Sequence, residues 1–167
     1  MPAKTEALSD YERERGKPLP SFNHGTIQAL VIGELLKHRD EFSIVSELSL
    51  ELPRGEAGEN GEPLRVTPDI CVYPKKDVDW TRDEVRMTEP PLLAVEIISL
   101  TQPSQDVVEK IQDMLEAGVA SCWFVQPAIR GVSVFTREAE VRTVTEGVLE
   151  DPATGIALDV PALFARG

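Results

Sequence analysis

The sequence predicts a mixed α/β (α+β) domain in which helices flank a mixed β-sheet. Apolar residues recur at helical spacing in segments 21–37 and 104–117. Runs that alternate with a strand period, or are apolar throughout, fill four other segments: 42–52, 66–73, 92–98 and 120–125. The strand, helix and strand over 92–126 indicate two parallel strands joined by a right-handed crossover at the centre of the sheet.

The length of the chain is that of one domain. Its 167 residues match the usual size of a single domain, so we expect a leader over 1–20 and one core over 21–167. No apolar run approaches the roughly 20 residues that a membrane span requires, and the charged leader has no signal-peptide character. We therefore expect a cytoplasmic protein without a membrane partner.

The first helix is predicted from its cap and from one repeating face. Ser21 and Asn23 are both candidate N-caps, and we expect the helix to end at about Lys37. The repeating face comprises His24, Ile27, Val31 and Leu35.

A hairpin is predicted after this helix. Five apolar residues share one parity and define a strand over 42–52: Phe42, Ile44, Leu48, Leu50 and Leu52. A polar, glycine-rich turn over 54–63 leads to a second strand over 66–73, so we expect the two to pair antiparallel. Pro68 has no N–H to donate and limits this ladder on one side.

The centre of the sheet is predicted from the next segments. A long polar connection over 74–91, with one helical turn at 82–87, leads to the strand 92–98, which reads as covered on both faces. Ser104 is the candidate N-cap of the second helix, and Gly118 is its candidate C-cap.

The last third of the chain is predicted to extend the sheet by a hairpin. Strands over 132–136 and 141–145 follow the strand 120–125, and a short helix is expected at 161–165. The hairpin leaves an edge strand, and an exposed edge invites pairing with another chain. We therefore expect a homodimer.

The charge of the chain restricts its partners. It has 29 acidic and 17 basic residues, a net charge of −12, and a pI near 4.6. Such a field repels polyanions and disfavours general electrostatic binding of nucleic acid. A nucleic-acid partner would need bridging metal ions or a local patch made from scattered basic residues: Arg13, Arg15, Lys17, Lys75, Lys76, Arg82 and Arg86.

The two cysteines indicate no metal site. Cys71 and Cys122 lie far apart, each within an apolar run, and the chain has no CxxC motif or Cys/His cluster. We expect both to be reduced thiols in the core.

Two carboxylates in apolar surroundings are candidate metal ligands. Glu96 lies within the run LLAVEIIS, where an ionised carboxylate is costly to bury without a partner. Asp69 follows Pro68 at the head of the preceding apolar strand. Two carboxylates in one cleft suit Mg²⁺. The alternatives are a buried ion pair or an open strand face for Glu96, and a turn residue for Asp69.

Lys110 and His24 are candidates to act beside these acids. Lys110 flanks the apolar face of the second helix, so its ammonium could reach the cleft, although an ion pair with Asp106 is the alternative. His24 could transfer a proton or contact phosphate, or be a purely structural histidine. Glu47 and Glu12 are candidates for a third carboxylate.

The order and spacing of several motifs resemble the Uma2 family. The matching stretches are PDICVY at 68–73, PPLLAVEIIS at 90–99, an Asp-x-x-x-Lys pair at 106–110, and GVASCWFVQP at 118–127. The start YERERGKPLPSFNHGTIQALVIGELL and the tail GIALDVPALF are also similar to the family. The resemblance covers nearly the whole chain.

The resemblance implies the restriction-endonuclease-like PD-(D/E)xK fold. By position, Asp69 is the acid of the PD half and Glu96 is the acid of the strand half. Ile98 stands where the usual motif has lysine, and the family supplies that lysine from the following helix, here as Lys110. Other departures are Leu100 in place of proline, Met114 in place of an aromatic residue, and Ser121-Cys122 in place of Glu-Tyr.

The resemblance implies an endonuclease that depends on Mg²⁺ or Mn²⁺ and hydrolyses phosphodiester bonds of nucleic acid. The expected nucleic acid is DNA. Asp69 and Glu96 would hold the ion, Lys110 would orient the attacking water, and His24 would contact the phosphate or assist the leaving group. Two alternatives stay open. One is a non-catalytic binding or regulatory module, favoured by the acidity and by Ile98. The other is an acidic dimerising protein with no nucleic-acid role.

Overall fold

The structure is a computed structural model and describes residues 20–54 and 61–167. Most of the expected leader, with the candidate ligand Glu12, lies outside these residues. So does the middle of the turn predicted at 54–63.

Three helices and eleven strands are described. In chain order they are α1 (Phe22–Leu35), β1 (Phe42–Ser46), β2 (Ser49–Leu52), β3 (Leu64–Val66), β4 (Ile70–Pro74), β5 (Arg86–Met87), β6 (Leu93–Ile97), α2 (Ser104–Glu116), β7 (Ser121–Gln126), β8 (Gly131–Phe135), β9 (Arg142–Val144), β10 (Val148–Glu150), β11 (Ala157–Asp159) and α3 (Val160–Ala165). Single 3₁₀ turns follow α1 and β7, at Leu36–His38 and Pro127–Ile129.

The main sheet has six strands in the order β1-β4-β6-β7-β8-β9. The β6–β7 pair is parallel and the other pairs are antiparallel. Helix α2 connects the two parallel strands. This confirms the predicted mixed sheet with a strand–helix–strand unit at its centre, and it leaves β9 at an edge, as expected for the 131–145 hairpin.

Each face of the main sheet carries its own apolar layer. On one face α1 and α3 pack on alternate strand residues such as Val95 and Trp123, and β10 and β11 add Leu149 and Leu158 to this layer. On the other face α2 packs on the intervening residues, of which Phe124 is an example. Strands β6 and β7 read as continuously apolar because both of their faces are covered.

The single strand predicted over 42–52 is wrong. It is two strands in different sheets, because β1 pairs with β4 whereas β2 pairs with β3 and β5. The strand is interrupted at Glu47, which has a left-handed backbone with φ of 52°. The backbone N–H of Glu47 donates to Asp69 O at 3.1 Å. The predicted antiparallel pairing is confirmed for both halves.

The helical turn predicted at 82–87 is also wrong. Arg86 and Met87 form β5, which runs parallel to β2, and Met87 is buried beneath α2. Strands β10 and β11, which pair as a small separate sheet, were not predicted. Each strand has three residues or fewer, too short for a period to show.

The helix caps agree in part with the predictions. Ser21 caps α1, since its Oγ accepts from His24 N at 3.1 Å. Ser104 is the first residue of α2 and Pro103 is its N-cap, so the cap predicted there is wrong. Gly118 follows α2 with φ of 106°, a conformation that glycine adopts without strain.

Both cysteines are buried in the core, as expected. Burial, helped by the charge of Glu96, raises the pKa of the Cys122 thiol. None of the helices in the described ranges is long and apolar enough to cross a bilayer.

Candidate functional site

Asp69 and Glu96 come together because β4 and β6 run antiparallel. Asp69 directly precedes β4 and Glu96 lies near the end of β6, so both are at the same end of the sheet. The register pairs Ile70 with Val95, and one further step places Asp69 opposite Glu96. Asp69 is tied to the residue after Glu96, since Asp69 Oδ2 accepts a hydrogen bond from Ile97 N at 2.7 Å. That both carboxylates ligate one ion stays a prediction.

Both acids are buried. Asp69 is 0% exposed and Glu96 is 2% exposed. A buried carboxylate requires hydrogen bonds or a cation, because the charge loses its hydration. The backbone N–H of Ile97 donates a hydrogen bond to Asp69, and a lysine forms an ion pair with Glu96.

Lys110 supplies that cation from α2. Its Nζ lies 2.7 Å from Glu96 Oε1 and donates to Thr67 O at 3.4 Å. Its side chain is 18% exposed, so the ammonium remains within reach of solvent. The orientation toward Glu96 is confirmed, and within the described ranges Asp106 is not its ion-pair partner. Lys110 thus joins the strand acid to the segment that carries Asp69.

His24 lies on the other side of Asp69. The capped first turn of α1 holds its imidazole, and Nε2 is 3.4 Å from Asp69 Oδ2 without hydrogen-bond geometry. The side chain is 1% exposed, and neither ring nitrogen has a hydrogen-bond partner among residues 20–54 and 61–167. The imidazole therefore has hydrogen-bonding capacity that these residues do not use.

Gln28 is a member of this site that the sequence analysis missed. It stands one helical turn after His24, and Nε2 donates to Asp69 O at 3.1 Å and to Glu47 Oε1 at 3.3 Å. It therefore ties the candidate third carboxylate, Glu47, to the backbone of Asp69. Its spacing from His24 was the available signal.

The donor set suits a hard cation. Within the described residues no three His, Cys, Asp or Glu side chains are arranged to hold a metal ion by themselves. Mg²⁺ does not require such a cage, because it keeps several waters and uses one or two carboxylates together with substrate phosphates. Asp69 and Glu96 fit this mode of binding, and they do not fit a structural zinc site.

A cleft of about 350 Å³ opens beside the acids. It lies between the start of α1, the loop from β6 to α2, and the 3₁₀ turn after β7. His24 lines the cleft and also contacts Asp69, so the cleft and the buried acids share this side chain. Ser99, a second residue that the sequence analysis missed, lines it as well.

Two of the basic residues considered from the sequence, Lys75 and Lys76, do not contribute to a basic patch at Asp69. Lys75 and Lys76 follow the end of β4, whereas Asp69 precedes its start. Lys75 Nζ donates instead to Arg39 O at 2.8 Å. The strand therefore separates these two lysines from the acids.

The mixed sheet with its central parallel β6–α2–β7 unit is a restriction-endonuclease-like fold. The chain belongs to the Uma2 family, described as "Putative restriction endonuclease", whose model matches residues 5–164. The resemblance inferred from the motifs is thus confirmed.

One solved structure similar to this chain is that of a putative nuclease belonging to DUF820 from Anabaena variabilis. The TM-score is 0.71 at 22% sequence identity, over 89% of this chain and 83% of that chain. At this identity the likeness shows the fold. Among curated proteins there is no match.

Proposed function

We propose that this protein is a metal-dependent endonuclease that hydrolyses phosphodiester bonds of nucleic acid. The observation that carries the proposal is the joining of Asp69, Glu96 and Lys110 at one end of the sheet. Asp69 accepts a hydrogen bond from the backbone N–H of Ile97, the residue after Glu96, and Lys110 forms an ion pair with Glu96. Family membership supports the same class of reaction.

Asp69 and Glu96 would hold the ion, Mg²⁺ or Mn²⁺. When bound there, such an ion polarises a phosphoryl oxygen and lowers the pKa of water. Each carboxylate has two oxygens with several lone pairs, so one that already accepts a hydrogen bond can still bind a cation. The hydrogen bond from Ile97 N fixes the orientation of Asp69 in advance.

Lys110 would position the attacking water and offset negative charge in the transition state. Its ammonium is held by Glu96 and by Thr67 O, so it costs no reorganisation during the reaction. Its partial exposure allows water to approach it. The lysine of the usual motif would stand at position 98, and Lys110 replaces its charge from the helix.

His24 would contact the phosphate or give a proton to the leaving group. Its ring nitrogens lack hydrogen-bond partners within the described part of the chain, and it borders the cleft. Asp69 Oδ2 lies 3.4 Å from His24 Nε2, so the imidazole stands beside the proposed metal ligand.

We propose DNA as the substrate and a homodimer as the active form. Strand β9 at the sheet edge is the proposed pairing surface, because an uncovered edge offers unpaired backbone groups. A two-fold dimer would also present two sites to a duplex. Sedimentation as an 18.4 kDa monomer at micromolar concentration would contradict this part of the proposal.

The test is nicking of supercoiled plasmid DNA by the full chain with Mg²⁺, with Mn²⁺ and with EDTA. We expect weak, metal-dependent nicking that disappears in Asp69→Asn and Glu96→Gln, since each amide keeps the shape but removes a ligand charge. Lys110→Met should lower the rate by about 100-fold, the usual effect of losing one transition-state donor.

Asp113→Asn is the matched control, because it makes the same charge change on an exposed site of α2. It should nick at the wild-type rate. Equal nicking by the wild type and the Asp69→Asn, Glu96→Gln double variant would indicate a contaminating nuclease. A wild type that neither binds metal nor nicks would favour the non-catalytic module.

A further inference from the structure

The cleft beside His24 differs in charge from the rest of the chain. None of its lining residues, all of which lie in the described ranges, is an aspartate or glutamate, although the chain has 29 acidic residues. The polar lining residues are serine, asparagine, glutamine and histidine side chains, all able to donate hydrogen bonds. An anion would therefore meet less repulsion here than on an average part of this surface.

Two helices begin at this cleft. Ser21 and Asn23 line it from the start of α1, and Ser104 lines it from the start of α2. Each helix start presents backbone N–H groups and the positive end of the helix dipole. In α2 no side chain caps these groups. Asp106, in the first turn of α2, is exposed and is not a lining residue.

A buried hydroxyl gives an independent indication of a ligand. Ser99 is 4% exposed and lines the cleft, yet its Oγ has no hydrogen-bond partner among residues 20–54 and 61–167. Burying a hydroxyl without a partner is unfavourable. A phosphate oxygen in the cleft would accept its hydrogen bond. His24, whose Nδ1 also has no such partner, lines the same cleft.

The rim of the cleft is apolar and exposed. Leu100 is 84% exposed and Ile129 is 52% exposed, and both line the cleft. Apolar side chains beside phosphate donors offer a surface for a sugar or base. A cleft of about 350 Å³ is at the lower end of the range for small-ligand sites.

We propose that this cleft binds one nucleotide, with the phosphate at Ser99 and the two helix starts, and with the sugar or base against Leu100 and Ile129. The nucleotide is either free or part of a nucleic-acid strand. This inference rests on the proposed function for the class of ligand. It concerns binding beside the acids, separate from the metal held by Asp69 and Glu96.

The test is isothermal titration of the full chain in EDTA with four probes. The probes are thymidine 5′-monophosphate, thymidine, inorganic phosphate and a single-stranded thymidylate tetramer. We expect the monophosphate or the tetramer to bind more tightly than thymidine or phosphate. Binding of the tetramer without the monophosphate would identify a strand as the source, and equal binding of both would identify a site that also takes the free nucleotide.

Ser99→Ala should weaken binding of the nucleotide and of phosphate by about tenfold, the effect of losing one hydrogen bond to a charged group. Leu100→Ser should weaken nucleotide binding severalfold and leave phosphate binding unchanged. Ser133→Ala is the matched control, because Ser133 is an equally buried serine whose hydroxyl bonds to Thr143. It should bind every probe as the wild type does.

Unchanged nucleotide binding in Ser99→Ala and Leu100→Ser would overturn the proposal, and so would the absence of binding by every probe. Leu100 is exposed, so its variant remains informative if Ser99→Ala fails to fold. Because no metal is present, the result is independent of cleavage. Ser99-dependent binding by a protein that never nicks would reject the proposed function alone. Nicking by Ser99→Ala and by Leu100→Ser with an unchanged KM would reject nucleotide binding in the cleft and leave the proposed nuclease function standing.

Discussion

Lys110 Nζ lies 2.7 Å from Glu96 Oε1, although one residue is on a helix and the other on a strand. Ile98 stands two residues after Glu96, where the usual motif has lysine. The ammonium therefore reaches the acid through packing of α2 on the sheet. The lysine of this site depends on tertiary structure, and a motif search restricted to β6 would miss it.

The Lys110–Glu96 pair should be energetically asymmetric. Lys110→Met leaves a carboxylate that is 2% exposed without its cation and should cost about 3 kcal/mol, the usual effect of breaking a buried pair. Glu96→Gln should cost less, because Lys110 is 18% exposed and its ammonium can turn toward water. Urea unfolding of both single variants and the double variant measures the coupling. Strictly additive costs would show that the pair contributes nothing.

Added Mg²⁺ should stabilise the folded protein. An ion that binds only the native state adds about 2.7 kcal/mol at 100 times its Kd. We expect the rise in Tm with Mg²⁺ to vanish in Asp69→Asn and in Glu96→Gln and to persist in Asp113→Asn. A rise of equal size in all four proteins would place the ion elsewhere on the acidic surface.

Two glycines should respond to alanine in opposite directions. Gly118 has φ of 106°, and an added Cβ would lie 3.2 Å from Pro90 Cγ, so Gly118→Ala should cost about 1–2 kcal/mol. Gly33 lies within α1 with nothing within 4 Å of an added Cβ, so Gly33→Ala should gain about 0.5–1 kcal/mol. Thermal unfolding of both variants measures the difference, and a gain in Gly118→Ala would contradict the strain argument.

Asp151 should be a major contributor to stability. It is 0% exposed and accepts from Ser121 Oγ at 2.5 Å, from Trp123 Nε1 at 3.1 Å, and from Thr154 N and Oγ1 at 2.9 and 2.7 Å. Asp151→Ala leaves several buried donors unsatisfied and should cost more than about 3 kcal/mol. Glu150→Ala, at an exposed neighbouring position, should change the free energy of unfolding by less than about 0.5 kcal/mol.

Both cysteines should resist thiol reagents in the native protein. Burial raises the pKa of the Cys122 thiol, so the reactive thiolate is scarce at pH 8, and Cys71 is equally buried. Labelling with a chromogenic disulfide reagent should be negligible in buffer and should reach two thiols per chain in urea. Rapid labelling of one thiol in buffer would show local opening of the layer beneath α2.

The sequence predicted the centre of this fold better than its periphery. Helix α2 was predicted because its apolar face repeats over several turns, and the strands beside it were predicted because they are apolar almost throughout. Glu47 was not recognised as a break, since a left-handed glutamate has no signature in the pattern of apolar residues. Strands β5, β10 and β11 are too short to show a period and are defined by their partners.

Candidate site residues were predictable where a charged residue stands in an apolar segment that is expected to be buried. Glu96 was conspicuous in an apolar strand, and the proline before Asp69 marked the other acid. Ser99 and Gln28 could not be predicted as site residues, because serine in a loop and glutamine on a helix are common. Only the folded contacts give them a place beside His24.

The last described helix, α3, and the residue after it contact the first helix, α1. Arg166 forms an ion pair with Glu34 of α1 across a separation of 132 residues, and α3 packs on the same helix that carries His24. During synthesis on the ribosome, α1 is made before α3, so the helix that carries His24 gains these contacts only when the segment with α3 has emerged. The proposed nuclease activity would thus be withheld from a partly synthesised chain.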